Sequence, residues 1–466
     1  MPSQDISGSS LAALAAALRS GAIAAGELHA HACARHERLG KRMNAYIHWA
    51  PESAAACSRA ADAAFRCGSD LGPLQGLPLS FKDHFGIQGM PTYAGSSRRL
   101  PKAFEREGGV VQAVKRQLAV ISGKTHTVEF AAGGGGANPN WGTPFNPWDV
   151  KNARTPGGSS HGAAASLWEG SALAAFGTDT MGSVRMPAAM CGLVGFKPGF
   201  GRWPDSGIVP LSPILDSVGV LTRSVADAAF VFAAIDPAGD WAPALRAAEP
   251  GGVTIGEGDA YFWEGCQPEV EAAIRAAIKE LQNKGFHIRA SELPETRAVA
   301  ALQGEQGGIT APSLASLLQH SLPEWIDLLT PVIRERVREG LEMPAHRYLH
   351  MVEQMRELAR SAQSRFEFVD VMLTPTTPFT APILGKAPPG GPAVPVVRNT
   401  FVVNYLGLCA ISMPVALDSN GLPIGMQLIA CAGGEGRLLS VALAIEQALG
   451  QGSERLGLPP LFGEPQ

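Results

Sequence analysis

An α/β sandwich built on a largely parallel sheet is the fold class this chain predicts, on three observations. Apolar, strand-like runs alternate with helical patterns, as at residues 110–118, 120–121 and 160–170 before Ala172-Leu-Ala-Ala-Phe176, the order of units feeding one sheet. Hydrophobic residues make up 45% of the chain against 17% charged, with 54 glycines, enough for a deep core and many tight turns. A length of 466 residues would by itself allow about three domains, and one elaborated layered domain holds the same number.

Taken in order, Ser9 or Ser10 caps a helix with Leu11, Leu14 and Leu18 on one face, stopped near Gly21, and a second helix runs from about residue 24 to 39. Together they read as an outer helical pair over about 9–40. Residues 44–49 resemble a strand, Pro51 opens an alanine-rich helix, and 77–81 form a strand entering the body of the fold with Lys82 at its tip. Further on, 253–256 read as a strand and 268–284 as an amphipathic helix ending before Gly285. Residues from about 312 to 367, rich in helix formers and charge, read as a helical cap over the mouth of a site. Residues 387–395 are a proline-glycine loop, either a plain surface loop or a rim of the entrance.

The balance of charge narrows the partners. A net charge of −4 without a clustered basic stripe argues against nucleic acid. Seven scattered cysteines with no Cys-x-x-Cys pair and no metal-ligand spacing fit a reducing cytoplasm and give no sign of a metal or other cofactor. The N-terminus lacks the charged and apolar regions of an export signal, and no apolar run reaches the roughly 18 residues of a membrane span. Small molecules are the expected partners, in a cytoplasmic protein.

Three segments carry chemistry. Thr155-Pro-Gly-Gly-Ser-Ser-His-Gly162 and Gly177-Thr-Asp-Thr-Met-Gly-Ser-Val-Arg-Met-Pro187 put serines in glycine-rich turns, where backbone N–H groups can crowd a reacting carbonyl. Leu77-Pro-Leu-Ser-Phe-Lys-Asp83 ends an apolar run on a lysine, where burial favours the neutral amine that can serve as a base. Serine, serine and lysine point to acyl transfer without a catalytic histidine. Taken alone, Lys82 next to Asp83 reads as a salt-bridged pair, and the serine loop reads as a helix start capped by Ser159 or Ser160.

These segments resemble the amidase signature family, whose pattern runs Gly-Gly-Ser-Ser-Gly-Gly and then Gly-Thr-Asp-Thr-Gly-Gly-Ser-(Ile/Val)-Arg. The likeness continues, in family order, through Asn146-Pro-Trp148, Cys191-Gly-Leu-Val-Gly-Phe-Lys-Pro198, Leu215-Asp-Ser-Val-Gly-Val-Leu-Thr-Arg223, Leu373-Thr-Pro-Thr-Thr-Pro378 and Gly421-Leu-Pro-Ile-Gly-Met-Gln427. The resemblance implies one domain over 1–466, a three-layer α/β/α sandwich around one large mixed, mostly parallel sheet. Within it lie a signature core at about 70–235, a variable and partly helical cap region at about 236–368 without matched motifs, and a C-terminal core segment at about 369–455. It further implies Ser183 as nucleophile, Ser159 as bridging serine after a cis peptide from Gly158, and Lys82 as base. Backbone N–H groups of Thr180, Met181, Gly182 and Ser183 would form the oxyanion hole. Asp179, Arg185 and Ser160 would support the loop, with Arg185 holding structure ahead of touching substrate. Gly133 and Gly134 are expected near the bound substrate.

Two positions depart from the pattern. Met181 stands where the family has glycine, and its thioether is expected to line and narrow the acyl pocket. His161 replaces the glycine after the two serines and is expected to line the pocket or start a helix.

Rival readings remain at this level. Gly158-Ser-Ser-His-Gly162 also fits the nucleophile elbow of an α/β-hydrolase esterase with Ser160 attacking, although no apolar strand precedes it. The family also contains the glutaminase components of amidotransferases, which work with partner chains, and homodimers occur in it. The preferred reading is a stand-alone amidase using water on a small amide, anilide, urea or carbamate such as a urethane. Met181 and the weakly charged signature region lean toward neutral, apolar or aromatic acyl compounds.

Overall fold

Eleven strands among the described residues join edge to edge into one mixed sheet. A computed structural model describes residues 8–236, 246–304, 307–386 and 395–462. In chain order the strands are β1 (Tyr46–Trp49), β2 (Pro78–Lys82), β3 (Val120–Thr125), β4 (Ala174–Asp179), β5 (Val194–Lys197), β6 (Ser217–Thr222), β7 (Thr254–Glu257), β8 (His287–Ala290), β9 (Val371–Pro375), β10 (Cys409–Leu417) and β11 (Pro423–Ala430). Across the sheet they run β1-β3-β2-β4-β6-β5-β10-β11-β9-β7-β8.

Strand alternation sorts the core into two layers, because successive side chains point to opposite faces. Ala174, Phe176 and Val220 pack with the helices Val225–Ile235, Pro268–Asn283 and Glu435–Leu449 on one side. Their neighbours Ala175 and Leu221 pack with the helices His161–Glu169 and Arg185–Cys191 on the other. The result is the expected helix-sheet-helix sandwich. The two N-terminal helices form at Leu11–Ser20 and Ala25–Met43, with Ser10 as the first cap, its hydroxyl accepting from Ala13 N–H at 3.2 Å.

The balance of strand directions corrects the sequence reading. Parallel ladders join β2 to β3 and β4, and β7 to β8 and β9. The β1·β3, β4·β6, β5·β6, β5·β10, β10·β11 and β9·β11 ladders are antiparallel, so the sheet is mixed without being mostly parallel. Connection length accounts for the β10·β11 ladder: parallel strands need a crossover of a dozen or more residues, whereas β10 turns into β11 through a short loop closed by Gly421 at φ 76°.

The region 236–368 divides in two. Its first part adds β7 and β8 to the sheet, with the helix Pro268–Asn283 buried in the main core. Its second part is helical, at Glu295–Gly304, Thr310–Ser321, Pro331–Leu341 and Ala345–Gln363. Of the proline-glycine loop, residues 387–394 lie outside the described residues.

Close approach locks two of those helices together. A Cβ on Gly340 would stand 2.2 Å from the Ala311 carbonyl oxygen, a backbone atom that cannot yield cheaply. Gly340→Ala is expected to cost about 1–3 kcal/mol, as overpacking does, and to lower the melting temperature; an unchanged thermal transition contradicts this contact.

Candidate active site

Lys82 ends β2 beside β4, with Phe81 opposite Phe176 in the parallel ladder. Apolar neighbours on both faces leave the lysine fully buried. Its Nζ lies 2.7 Å from Ser159 Oγ and 2.7 Å from Thr178 Oγ1. Burial pulls the amine from its ordinary 10.5 down to about 7, against the opposing pull of the Asp216 and Asp179 carboxylates. The neighbouring Asp83 pairs instead with Lys124 at 2.9 Å, so the Lys82-Asp83 salt bridge is not the arrangement formed.

Ser159 and Ser160 sit in the turn that opens the helix His161–Glu169, and the Gly158-Ser159 peptide is cis. Ser160 N–H donates to the Ser183 carbonyl at 3.1 Å, knitting the two serine turns together. The Ser160 hydroxyl is buried and donates to the Thr178 carbonyl at 3.2 Å. It makes no capping bond to the helix and does not line the cavity that Ser183 lines, which counts against the esterase reading with Ser160 as nucleophile.

Ser183 is 5% exposed and lines a cavity of about 430 Å³ together with Gly133, Gly134, Thr180 and Met181. Four of the expected pocket and turn residues thus meet the nucleophile candidate in one space. No hydrogen bond joins the Ser159 and Ser183 hydroxyls among the described residues; such contacts are often long without substrate.

The turn between β4 and the helix Arg185–Cys191 is organised by Asp179. Its carboxylate accepts from Gly182 N–H at 2.7 Å, Val184 N–H at 3.1 Å and Arg185 Nε at 3.0 Å. Burial works to raise Asp179, and the Arg185 guanidinium holds it well below the usual carboxylate range all the same. Arg185 also donates to Gln427 Oε1 at 2.7 Å, Asn404 Oδ1 at 2.6 Å and the Thr400 carbonyl at 3.0 Å. Fully buried and so engaged, it holds structure.

This network corrects one of the four expected oxyanion donors. Gly182 N–H is committed to Asp179, while the N–H groups of Thr180, Met181 and Ser183 meet no intramolecular acceptor among the described residues. Glycine at 182 has a different purpose, since φ is +116° and a Cβ would meet Thr400 Oγ1 at 2.1 Å. Met181 keeps a negative φ, so its Cβ is accommodated without distortion, and its carbonyl accepts from Thr400 Oγ1 at 2.7 Å.

His161 starts its helix as expected and does not line the cavity, which corrects the pocket-lining alternative. It is wholly buried, 6.0 Å between ring centroids from His126. Burial pushes both imidazoles down, His126 to about 4, so each is neutral near pH 7.

Other groups at the site went unassigned in the sequence. Thr178 touches Lys82, a contact between the ends of two strands that no local pattern places. Asp216, inside a quoted motif, accepts from Thr180 Oγ1 at 2.5 Å, Leu211 N–H at 2.9 Å and Ser212 N–H at 3.1 Å. Burial raises it to about 6. Arg336 and Arg398 also line the cavity; both lie outside every recognisable motif.

Comparison with known proteins agrees with this architecture. The Amidase family model matches residues 27–439. The chain is 43% identical to a 2-amino-5-chloromuconic acid deaminase of Comamonas testosteroni, over 97% of this chain and 98% of that protein. It is 33% identical to one of the subunits of the glutamyl-tRNA(Gln) amidotransferase of Moorella thermoacetica, over 89% and 91%. A crystal structure of an amidase superposes with a TM-score of 0.85 at 29% identity, covering 95% of this chain and all of that one. The family match across most of the chain, together with a relative 43% identical over nearly all of both chains, establishes that this protein belongs to the amidase family, hydrolases of carbon–nitrogen bonds other than peptide bonds.

Proposed function

We propose that this enzyme hydrolyses a small amide-type substrate through a covalent acyl-enzyme on Ser183, with Ser159 and Lys82 relaying protons. The observation that carries the reading is the dehydrated amine of Lys82, 2.7 Å from Ser159 Oγ and pulled down to about 7. A neutral amine offers two N–H donors and one lone pair. One donor serves Thr178 Oγ1, and the lone pair can receive the Ser159 proton.

The step then balances. Ser183 Oγ attacks the carbonyl carbon as its proton passes to Ser159 Oγ and the Ser159 proton passes to Lys82 Nζ. Unengaged N–H groups of the 180–183 turn hold the negative oxygen. Collapse breaks the C–N bond as the ammonium returns its proton through Ser159 to the departing nitrogen, leaving an ester on Ser183. Water repeats the sequence in the second half and frees the carboxylic acid. Amides, anilides, ureas and carbamates share this chemistry, and glutamine belongs in the substrate panel because of the amidotransferase relatives.

Activity should rise with pH through a midpoint near 7, the value to which burial brings Lys82, because only the neutral amine accepts a proton. A flat profile from mildly acidic to alkaline pH, with chemistry limiting, contradicts the assignment. Ser183→Ala and Lys82→Met should each lower kcat at least about a thousandfold, and a fluorophosphonate probe should label Ser183.

The same burial sets a stability slope. Between about 7 and 10.5 the folded lysine is neutral while the unfolded one is protonated, so the wild type loses stability as pH falls across that window. Lys82→Met should make the slope shallower by the one proton that Lys82 contributes, with Lys197, brought down to about 8, still adding its own, and be the more stable protein at neutral pH, as read by urea unfolding at two pH values in the window.

Met181 should set acyl size. Met181→Gly is expected to shift preference toward bulkier acyl groups, and identical relative rates for wild type and variant across a graded amide series would exclude that role.

A further inference from the structure

We propose that Arg336 is a specificity-determining residue whose guanidinium binds a carboxylate borne by the substrate. This rests on the hydrolytic reading of the Ser183 cavity and names its substrate class: amides with an anionic group on the acyl part. Sequence reading leaned toward neutral compounds because the signature region is weakly charged. The structure brings in charge from elsewhere, since Arg336 and Arg398 line the cavity and, among the described residues, no carboxylate does.

The two arginines are not equivalent. Arg398 is committed: it donates to Glu264 Oε2 at 2.6 Å and to the Tyr261 carbonyl at 3.0 Å, and it lies 4.2 Å from the centroid of the Tyr261 ring. Arg336 rises from the helix Pro331–Leu341, where other arginines find protein partners. Arg338 pairs with Glu335 and Glu342, each at 2.5 Å, and Arg334 donates to the carbonyls of Asp327 and Leu329. Arg336 makes no hydrogen bond or ion pair among the described residues. Glu339 acts on it through space, and burial pushes the guanidinium below its ordinary value.

A guanidinium stays charged at any physiological pH. Half-buried in a largely apolar cavity, and with no ion-pair partner in contact and no lining carboxylate among the described residues, it is an incomplete ion pair that a ligand carboxylate completes. The planar fork of Arg matches a carboxylate in two-point contact. Gly340, one turn along the same helix and pressed against Ala311, fixes the backbone that presents the side chain.

Calorimetric titration of the Ser183→Ala enzyme, which binds without turnover, provides the test. The probes are the monoamides of succinic, glutaric and adipic acid, each against the neutral primary amide of equal chain length. At least one monoamide should bind about ten times more tightly than its neutral counterpart, and adding Arg336→Met should cut that advantage about tenfold, to near parity, with Arg336→Lys keeping part of it. The assignment is overturned if no monoamide outbinds its counterpart, an outcome that needs no Arg336 variant, or if the advantage survives Arg336→Met. Failure of the hydrolytic reading is seen separately, as wild type that turns over no amide and leaves Ser183 unlabelled, while the binding preference still decides Arg336.

Discussion

The site depends on one buried ion pair. Asp179 at the end of β4 and Arg185 at the start of the following helix meet at 2.9 Å with no solvent access. The carboxylate shapes the turn that carries Ser183, through Gly182 and Val184 N–H. The guanidinium reaches Gln427 on β11 and Asn404 and Thr400 in the helix Arg398–Tyr405. Removing one partner of such a pair strands a charge in low dielectric, at a cost of about 3–5 kcal/mol. Segments more than two hundred residues apart are therefore held in register by one pair of side chains, and the serine turn takes its shape from the C-terminal part of the chain.

A second constraint follows from where that pair sits. Thr178, the residue before Asp179 on β4, meets Lys82 at the end of β2, so the buried amine has neutral hydroxyl partners in Ser159 and Thr178. Buried carboxylates at Asp179 and Asp216 pull its proton affinity upward, and desolvation outweighs them. The lowered amine is thus a product of the packing. A surface lysine with the same chemistry would be protonated at neutral pH and useless as a base.

What the sequence made legible is local. Lys82, Ser159 and Ser183 stand in glycine-rich or apolar segments whose pattern announces a turn or a strand tip, and β2 and β4 were visible from short apolar runs. Long-range pairings were not visible. Strand direction in β4·β6 or β5·β10 depends on how connections cross the sheet, which no local pattern encodes. Gly182 looked like an oxyanion donor because the motif aligns four N–H groups; only the three-dimensional placement of Asp179 shows that one is occupied. Arg336 sits in the charge-rich helical stretch expected over the mouth of the site, and no local pattern shows that, of the arginines on its helix, Arg336 is the one that lines the cavity.

This division has a physical logic. Bond breaking in the proposed relay needs groups fixed to a fraction of an ångström, and strand ends and buried pairs supply that rigidity. Discrimination among substrates needs a wall that can differ without disturbing those groups. The helices Glu295–Gly304 and Pro331–Leu341 reach the cavity through Gln303 and Arg336 while belonging to hydrophobic clusters separate from the one that buries β2 and β4. Under the proposed reading, a substitution at Gln303 or Arg336 would change what the cavity accepts while Lys82 keeps the packing that lowers its proton affinity. In the proposed reading, chemistry and selectivity are carried by different parts of one chain, joined at the cavity that Ser183 lines.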